Sequence, residues 1–127
     1  MARSLSPEFR LAAAFAMWPP SECRTETIRR AAAGPLDWPR FLRVARRHQV
    51  IALVRDGLTE ARVDVPPKIA QEIGAEADTL IIENLAMVRE ALRIQRLFDE
   101  AHLPVLFVKG ATLAVLAFND QIGRAHV

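Results

Sequence analysis

The chain has 127 residues, 51% of them hydrophobic and 25% charged, and its net charge is +2. That length fits one domain or part of one, and the apolar content is enough for a packed core, which favours a folded chain over a disordered one. The net charge is too small to indicate nucleic-acid binding on its own. A single cysteine, Cys23, excludes an internal disulfide and indicates a reducing compartment, so we expect a cytoplasmic protein.

The apolar run from Leu11 to Trp18 is the stretch that most resembles a targeting signal. Glu8 and Arg10 stand directly before it and Pro19-Pro20 follows it without a cleavage pattern, which favours an ordinary amphipathic helix. No stretch approaches the roughly 20 apolar residues of a membrane span, so a membrane is not expected among the partners.

Caps and stops predict a helical region over residues 1–102. Good N-cap residues stand at Ser6, Ser21 and Asp37, and Pro19-Pro20 and Gly34-Pro35 stop the first two helices. The first four predicted helices run over 7–17, over 22–33, from Asp37 to a bend near His48-Gln49, and over 50–58. A linker at 62–67 precedes the fifth, which runs to His102.

The third predicted helix has an apolar face and a basic face. Phe41, Leu42, Val44 and Ala45 are expected to face the core, and Arg40, Arg43, Arg46 and Arg47 are expected to face water. A basic face can meet the phosphates of RNA or of a nucleotide, but a solvated face is the commoner meaning, and nucleic acid is not expected as a partner. A helix-turn-helix nucleic-acid binder built on residues 36–60 is the least favoured interpretation.

From Pro67 to His102 no proline interrupts the chain, and the pattern predicts a long amphipathic helix with a possible break near Gly74. The apolar stripe is wider than a two-residue seam, which favours packing inside a helical domain over a coiled coil. Its members alternate spacings of four and three: Ile73, Ala77, Leu80, Asn84, Met87, Ala91, Ile94 and Phe98, widened by Ile81, Leu85, Val88 and Leu92.

The chain changes character after His102. Val105 to Val108 is β-rich and nearly all apolar, as expected of a strand covered on both faces. Gly110 sits where this strand would turn into a helix, and the free N–H groups of the next turn can hold an anion. A strand here without a partner would make the chain self-associate.

These residues carry a resemblance. Leu103 to Leu113 (LPVLFVKGATL) resembles the "-IPV-L-KG-A-L-" segment of the uncharacterised nucleotidyltransferases, which have a polymerase-β-like catalytic core. Asp37-Trp38 and residues 45–50 (ARRHQV) are similar to the helical "W…A-x-x-H-x-V" region of that family. Val65-Pro66 and Asn84 fall where the family often has Val-Pro and Asn. The order and spacing of these segments carry the resemblance, because Lys-Gly alone is common.

The resemblance implies a fold, an activity and a site. The fold is mainly α, with the helical region 1–102 leading at 103–120 into the first strand and helix of an α/β nucleotidyltransferase core. The activity is the Mg²⁺-dependent transfer of a nucleotidyl group from a nucleoside triphosphate (NTP) to an unknown acceptor. In the family, the glycine after the first strand opens a helix whose N-terminus receives the triphosphate. Lys109, Gly110 and Thr112 are therefore the candidate binding residues.

The second half of the family's site, a D-x-D pair that holds Mg²⁺ on the next strand, is absent from this sequence. Asp120 is the last acidic residue and has no acidic partner two positions away. No catalytic or metal-ligating residue is therefore assigned, and this fragment is expected to be inactive and to bind Mg²⁺ and NTP poorly. A non-catalytic helical interaction module is the competing interpretation.

The last residues raise a separate question. Ile122 to Val127 (IGRAHV) is what one reading frame of a common sequencing-library adapter encodes, so residues 121–127 are predicted to be a non-native tail. Phe118-Asn119-Asp120 and Arg124 also resemble the family's "Y-x-D…R". A match of six residues outweighs a match at one arginine, so no function is placed on Arg124.

Three other residues are candidates for chemistry. His48 at a helix end is predicted to interact with the helix C-terminus rather than to catalyse. No second histidine or cysteine stands at metal-ligand spacing from His48, His102 or Cys23, so a zinc site is not expected. Cys23 is predicted to be a solvated or half-buried thiol without a catalytic role.

Overall fold

Five α-helices account for most of the described part of the structure, a computed structural model that describes residues 4–108 and residue 110. In chain order they are α1 (Pro7–Phe15), α2 (Glu22–Ala32), α3 (Trp38–Arg47), α4 (Ile51–Ala61) and α5 (Pro67–Glu100). No strand occurs among the described residues, and the prediction of a mainly α chain is confirmed. The chain forms two compact units, Met1–Ala77 and Asp78–Val127, which divide it within α5.

The predicted starts of the first three helices are confirmed by side-chain caps. Oγ of Ser6, Oγ of Ser21 and Oδ1 of Asp37 each accept a hydrogen bond from the backbone N–H three residues later, at N···O distances of 3.2, 3.1 and 3.1 Å. Each bond satisfies an N–H that has no partner inside its own helix, and a cap of this kind stabilises a helix by about 1 kcal/mol.

The helix ends use residues that are unusual in that position. The backbone is left-handed, with φ of 56°, 53° and 57°, just after α3, α4 and α5, at Gln49, Arg62 and His102. After α5 the N–H of Leu103 donates to the carbonyl of Phe98 at 2.9 Å, which closes a Schellman motif. The bend predicted near His48-Gln49 is confirmed.

The remaining helix bounds lie close to the predicted ones. α1, α2 and α5 end at Phe15, Ala32 and Glu100, within two residues of prediction. The break near Gly74 does not occur, because α5 is helical throughout that turn. α4 is longer than predicted and runs past Leu58 to Ala61, since no glycine or proline stops it there.

The first unit is a helical bundle in which α1 packs on α2, α3 and α4. In α3 the predicted core positions Phe41, Leu42 and Ala45 are buried, whereas Val44 is half-buried. Complete burial of a large apolar side chain contributes about 1.5–3 kcal/mol, so this core supplies most of the driving force for folding the unit. Its main members are Leu11, Phe15, Ile28, Phe41, Leu42, Ala45, Ile51, Val54, Ile69, Ile73 and Ala77.

An arginine lies inside this apolar core. Arg24 is 1% exposed, and its Nη2 donates to the carbonyl oxygens of Phe15 at 3.1 Å and of Leu53 at 3.2 Å. Its Nη1 donates to Oε2 of Glu60 at 3.2 Å. Phe15 is the last residue of α1, so its carbonyl has no acceptor role inside that helix. Arg24 therefore joins α2 to the end of α1 and to α4.

Gly57 of α4 lies against the same region of α1. A Cβ at Gly57 would stand 2.5 Å from Cδ1 of Phe15 and 3.1 Å from Cδ1 of Ile28. Both of those side chains are fully buried, so neither can swing into solvent to make room. The missing side chain of Gly57 is what allows the Phe15 ring to pack here.

The part of α5 in the second unit, residues 78–100, is more exposed than the predicted stripe requires. Leu80 and Ile94 are half-buried, but Met87 is 64% exposed and Leu92 is 54% exposed. The stripe is therefore fully buried near the start of α5 and only partly covered further along.

The strand predicted at Val105–Val108 is not confirmed. These residues have no regular secondary structure, and no other described segment pairs with them. A strand needs a neighbour to satisfy its backbone N–H and C=O groups. Exposure alternates along the segment instead, with Val105 and Phe107 half-buried and Leu106 and Val108 exposed. One side of the segment is covered, whereas two covered sides were predicted.

Replacing Arg24 by methionine should lower the free energy of unfolding by about 3 kcal/mol or more, because two backbone carbonyls and Glu60 lose a buried donor. Urea unfolding followed by circular dichroism measures the change. Arg30→Met in the same helix is the matched control: its side chain is 78% exposed and lies 3.7 Å from Glu26. The control should cost less than about 1 kcal/mol. Equal losses in the two variants would contradict the role of Arg24.

Gly57→Ala and Gly74→Ala should change stability in opposite directions. Alanine normally stabilises a helix interior by about 0.5–1 kcal/mol over glycine, and at Gly74 no heavy atom lies within 4 Å of the added Cβ. At Gly57 the added methyl overlaps Phe15, and such overpacking costs about 1–3 kcal/mol. Thermal unfolding of both variants checks this, and stabilisation at Gly57 would refute the close packing of α4 on α1.

Candidate functional site

Gly110 is the member of the predicted nucleotide-binding set that the structure describes. Its φ is +95°, a conformation that residues with a side chain rarely adopt. Gly110 is exposed, and a Cβ built there would have no heavy atom of another described residue within 4 Å. The backbone conformation therefore favours glycine here, and no other described residue crowds its Cα.

The rest of this set falls outside the described residues. Lys109, Thr112, the helix predicted behind them and the predicted tail at 121–127 all lie there. The assignment of Lys109, Gly110 and Thr112 to triphosphate binding stays a prediction, with support from the backbone at Gly110.

Glu8 is a buried carboxylate in the first unit. Its Oε1 accepts a hydrogen bond from the backbone N–H of Asp37 at 3.0 Å, and its Oε2 lies 4.0 Å from Nε of Arg40 without a hydrogen bond. The hydrogen bond from Asp37 lowers the pKa of Glu8 below its ordinary value of 4.5, with a smaller contribution from the charge of Arg40, although burial opposes the shift. Glu8 therefore stays ionised and anchors the start of α3 instead of serving as a proton donor.

The basic face of α3 is exposed as predicted, and it is partly neutralised. Nε of Arg46 donates to Oε1 of Glu76 at 2.7 Å, and its Nη2 donates to Oε2 of Glu72 at 3.2 Å. Among the described residues, Arg43 and Arg47 have no carboxylate partner. Two free cations are fewer than a surface that follows a nucleic-acid backbone uses. The cluster at Arg46 joins α3 to the first turns of α5.

His48 and Cys23 have surroundings that fit structural roles. His48 occupies the C-cap position of α3, and its ring packs edge-on against Phe9 at a centroid distance of 5.5 Å. The thiol of Cys23 is exposed, as predicted.

α3 and α4 are joined by a short turn, but α4 lacks the exposed surface that the second helix of a DNA-binding helix-turn-helix motif needs. The second helix of such a motif must present side chains to the major groove. In α4 the exposed residues are Thr59 and Glu60, and Nε of Arg55 lies 3.9 Å from Oδ1 of Asp56. An acidic, largely covered helix does not suit a DNA groove, because the phosphates around it repel carboxylates.

The titratable groups of residues 4–108 do not assemble a metal centre. No group of three or more His, Cys, Asp or Glu side chains in this range could hold a metal ion. Within the same part of the chain, no helix is long and apolar enough to cross a membrane.

The chain belongs to the uncharacterised nucleotidyltransferase family, whose model matches residues 34–125. The matched range begins just before α3, includes α4 and α5, and continues through Gly110. It contains all the segments that carried the resemblance, and it ends inside the segment 121–127, whose origin stays a prediction. No curated protein and no solved structure matches this chain significantly.

The buried carboxylate makes stability depend on pH. Because the folded-state pKa of Glu8 lies below 4.5, its contribution is fully present above that value and is lost as pH falls through the folded-state pKa. Glu8→Gln removes the contribution of this carboxylate. The free energy of unfolding of the variant should therefore fall less steeply in acid than that of the unsubstituted chain. Urea unfolding at several pH values between about 3 and about 7 measures the slopes. An unchanged slope in Glu8→Gln would contradict the assignment.

Proposed function

We propose that this chain is the N-terminal helical region and the beginning of the catalytic core of a nucleotidyltransferase. The enzyme transfers a nucleotidyl group from a nucleoside triphosphate to an acceptor whose identity is open. The observation that carries the proposal is family membership over residues 34–125, which is most of the chain. On this proposal α1 to α5 form the helical region, and the core begins at Leu103.

In the proposed site the segment from Lys109 to Thr112 lies beside the triphosphate. The positive φ of Gly110 supports this placement, and no other described residue crowds its Cα. Without a Cβ, phosphate oxygens can approach the backbone and accept hydrogen bonds from the N–H groups that follow. Lys109 adds a flexible positive charge, and the hydroxyl of Thr112 adds one hydrogen-bond donor.

The proposed reaction also uses Mg²⁺, which neutralises phosphate charge and orients the triphosphate. Mg²⁺ is held by paired carboxylates, and neither the sequence nor the described residues offer such a pair at the predicted site. The residues present do not fit the ion, and none of them is assigned as its ligand. We propose that the D-x-D pair follows Asp120 in a longer gene product, and that the 127-residue chain alone is inactive.

A non-catalytic interaction module is the second candidate function. The exposed apolar side chains of α5, such as Leu85 and Leu92, favour it. The reading frame beyond Asp120 separates the two candidates. A D-x-D pair among apolar residues within about 20 positions supports the enzyme, because the metal pair must stand on the adjacent strand.

Gly110→Val in the longer gene product should weaken triphosphate binding by about tenfold or more, because the side chain blocks the approach of phosphate and disfavours the left-handed backbone. Calorimetry with a non-hydrolysable triphosphate and Mg²⁺ measures the affinity, and circular dichroism reports folding. Lys109→Ala should weaken binding less, since a flexible ammonium is one of several phosphate contacts.

Two further variants make this experiment decisive. Gly34→Val is the matched control, because a Cβ there also meets no heavy atom within 4 Å but the backbone is not left-handed. Gly110→Asn tolerates a positive φ while adding a side chain, so it separates backbone conformation from bulk. Full affinity in Gly110→Val, with a native spectrum, would show that Gly110 is a turn residue without a phosphate role.

A further inference from the structure

A groove with an apolar floor and a basic rim runs along α5 in the second unit. It has a volume of about 930 Å³. Among the described residues its floor is formed by Leu85, Val88 and Leu92, and its rim carries Arg89, Arg93 and Arg96. The described residues that line the groove all belong to α5, and Gly110 is not among them.

The floor is part of a regular seam. Ile81, Leu85, Val88 and Leu92 are spaced by four, three and four residues, which places them on one side of the helix. Leu85 is 45% exposed and Leu92 is 54% exposed, so a partner could still bury much of the seam. The seam is about 17 Å long, or three helical turns. This spacing is the one that receives knobs from a second helix in knobs-into-holes packing.

The arginines beside the seam differ in their partners. Nη2 of Arg93 donates to Oε1 of Glu90 at 2.6 Å, so this guanidinium is already engaged. Arg89 and Arg96 have no carboxylate partner within the part of the chain that the structure describes. They are seven residues apart, which places both on the same flank of the seam.

We propose that this groove binds an amphipathic helix of a partner protein, with an apolar seam and carboxylates seven residues apart on one flank. The apolar side chains fill the floor between Ile81 and Leu92, as in other helix-in-groove complexes. The two carboxylates pair with Arg89 and Arg96 and select the partner by charge.

A second copy of this chain fits the groove poorly. In an antiparallel pair of α5 helices the flanks that meet carry Ile82, Arg89 and Arg96 from both copies, so no carboxylate reaches either arginine. In a parallel pair the opposing flank carries Asn84 and Ala91, which supply no charge. The charge pattern therefore favours a different, acidic helix.

An anionic membrane surface also fits poorly. Between residues 78 and 100 the helix carries five acidic side chains (Asp78, Glu83, Glu90, Asp99 and Glu100) and three basic ones (Arg89, Arg93 and Arg96), a net charge of −2. Anionic lipids attract segments with an excess of Lys and Arg, and this segment has the opposite balance.

The test uses two synthetic three-heptad peptides with the same leucine seam, one with Glu and one with Lys at the flanking positions. Fluorescence anisotropy with the 127-residue chain should show a Kd for the Glu peptide that is about tenfold or more lower than for the Lys peptide. The double variant Arg89→Glu/Arg96→Glu should reverse this preference. Both positions are exposed, so circular dichroism should show an unchanged fold.

Matched variants test the floor. Leu92→Ser should weaken binding of the Glu peptide by about tenfold, whereas Met87→Ser, which is 64% exposed and off the seam, should leave binding unchanged. Equal binding of the two peptides, absence of binding, or binding that ignores the charge reversal would overturn the proposal. The proposal would also be overturned if the chain alone dimerised, or adsorbed to anionic vesicles, and Leu92→Ser abolished that association. The proposal would likewise be overturned if the longer gene product did not bind the peptide because its own residues occupied the groove.

Discussion

The buried guanidinium of Arg24 is the interaction on which the packing of the first unit depends. Removing an arginine from water is costly, and hydrogen bonds from its two Nη atoms to two backbone carbonyls and Glu60 offset part of that cost, while its buried Nε has no partner among the described residues. The carbonyl of Phe15 is the last one of α1, and the ring of the same residue packs on Gly57 of α4. One residue of α1 is thus held through its backbone by α2 and through its side chain by α4, which leaves little freedom in how these helices cross.

The parts of this fold that could be predicted are those encoded by neighbouring residues. The caps at Ser6, Ser21 and Asp37 are local signals, and the amphipathic pattern of α3 is read directly from its spacing. The helix ends were harder, because Arg62 and His102 adopt the left-handed conformation that glycine usually marks. The hydrogen bonds made by Arg24 and Glu8 join residues that are far apart in the chain. A single sequence shows that such residues are charged but not that they are buried.

The candidate site also has parts that could be predicted from the sequence and parts that could not. Gly110 was predicted to stand between a strand and a helix. Its positive φ is one that a residue without a Cβ adopts readily, but no regular strand precedes it among the described residues. The strand before it was predicted from a β-rich apolar run and from the family resemblance, and neither supplies the neighbour that a strand requires. Leu85 and Leu92 were predicted to lie inside a covered stripe. Periodicity shows that they share a side with Val88, but it cannot show whether anything covers that side, and the groove was therefore missed.

The hydrogen bonds of Arg24 and the hydrogen bond to Glu8, which join distant parts of the first unit, respond differently to acid. A guanidinium cannot lose its proton in a protein, and two of the three acceptors of Arg24 are backbone carbonyls, which do not titrate; the third is the carboxylate of Glu60. The bond from Asp37 to Glu8, in contrast, depends on a carboxylate that becomes protonated at low pH. Acid strong enough to protonate Glu8, at a pH below its ordinary pKa of 4.5, therefore loosens the start of α3, while the two carbonyl hydrogen bonds of Arg24 remain. In such acid, amide protons near Asp37 should exchange before those near the end of α1.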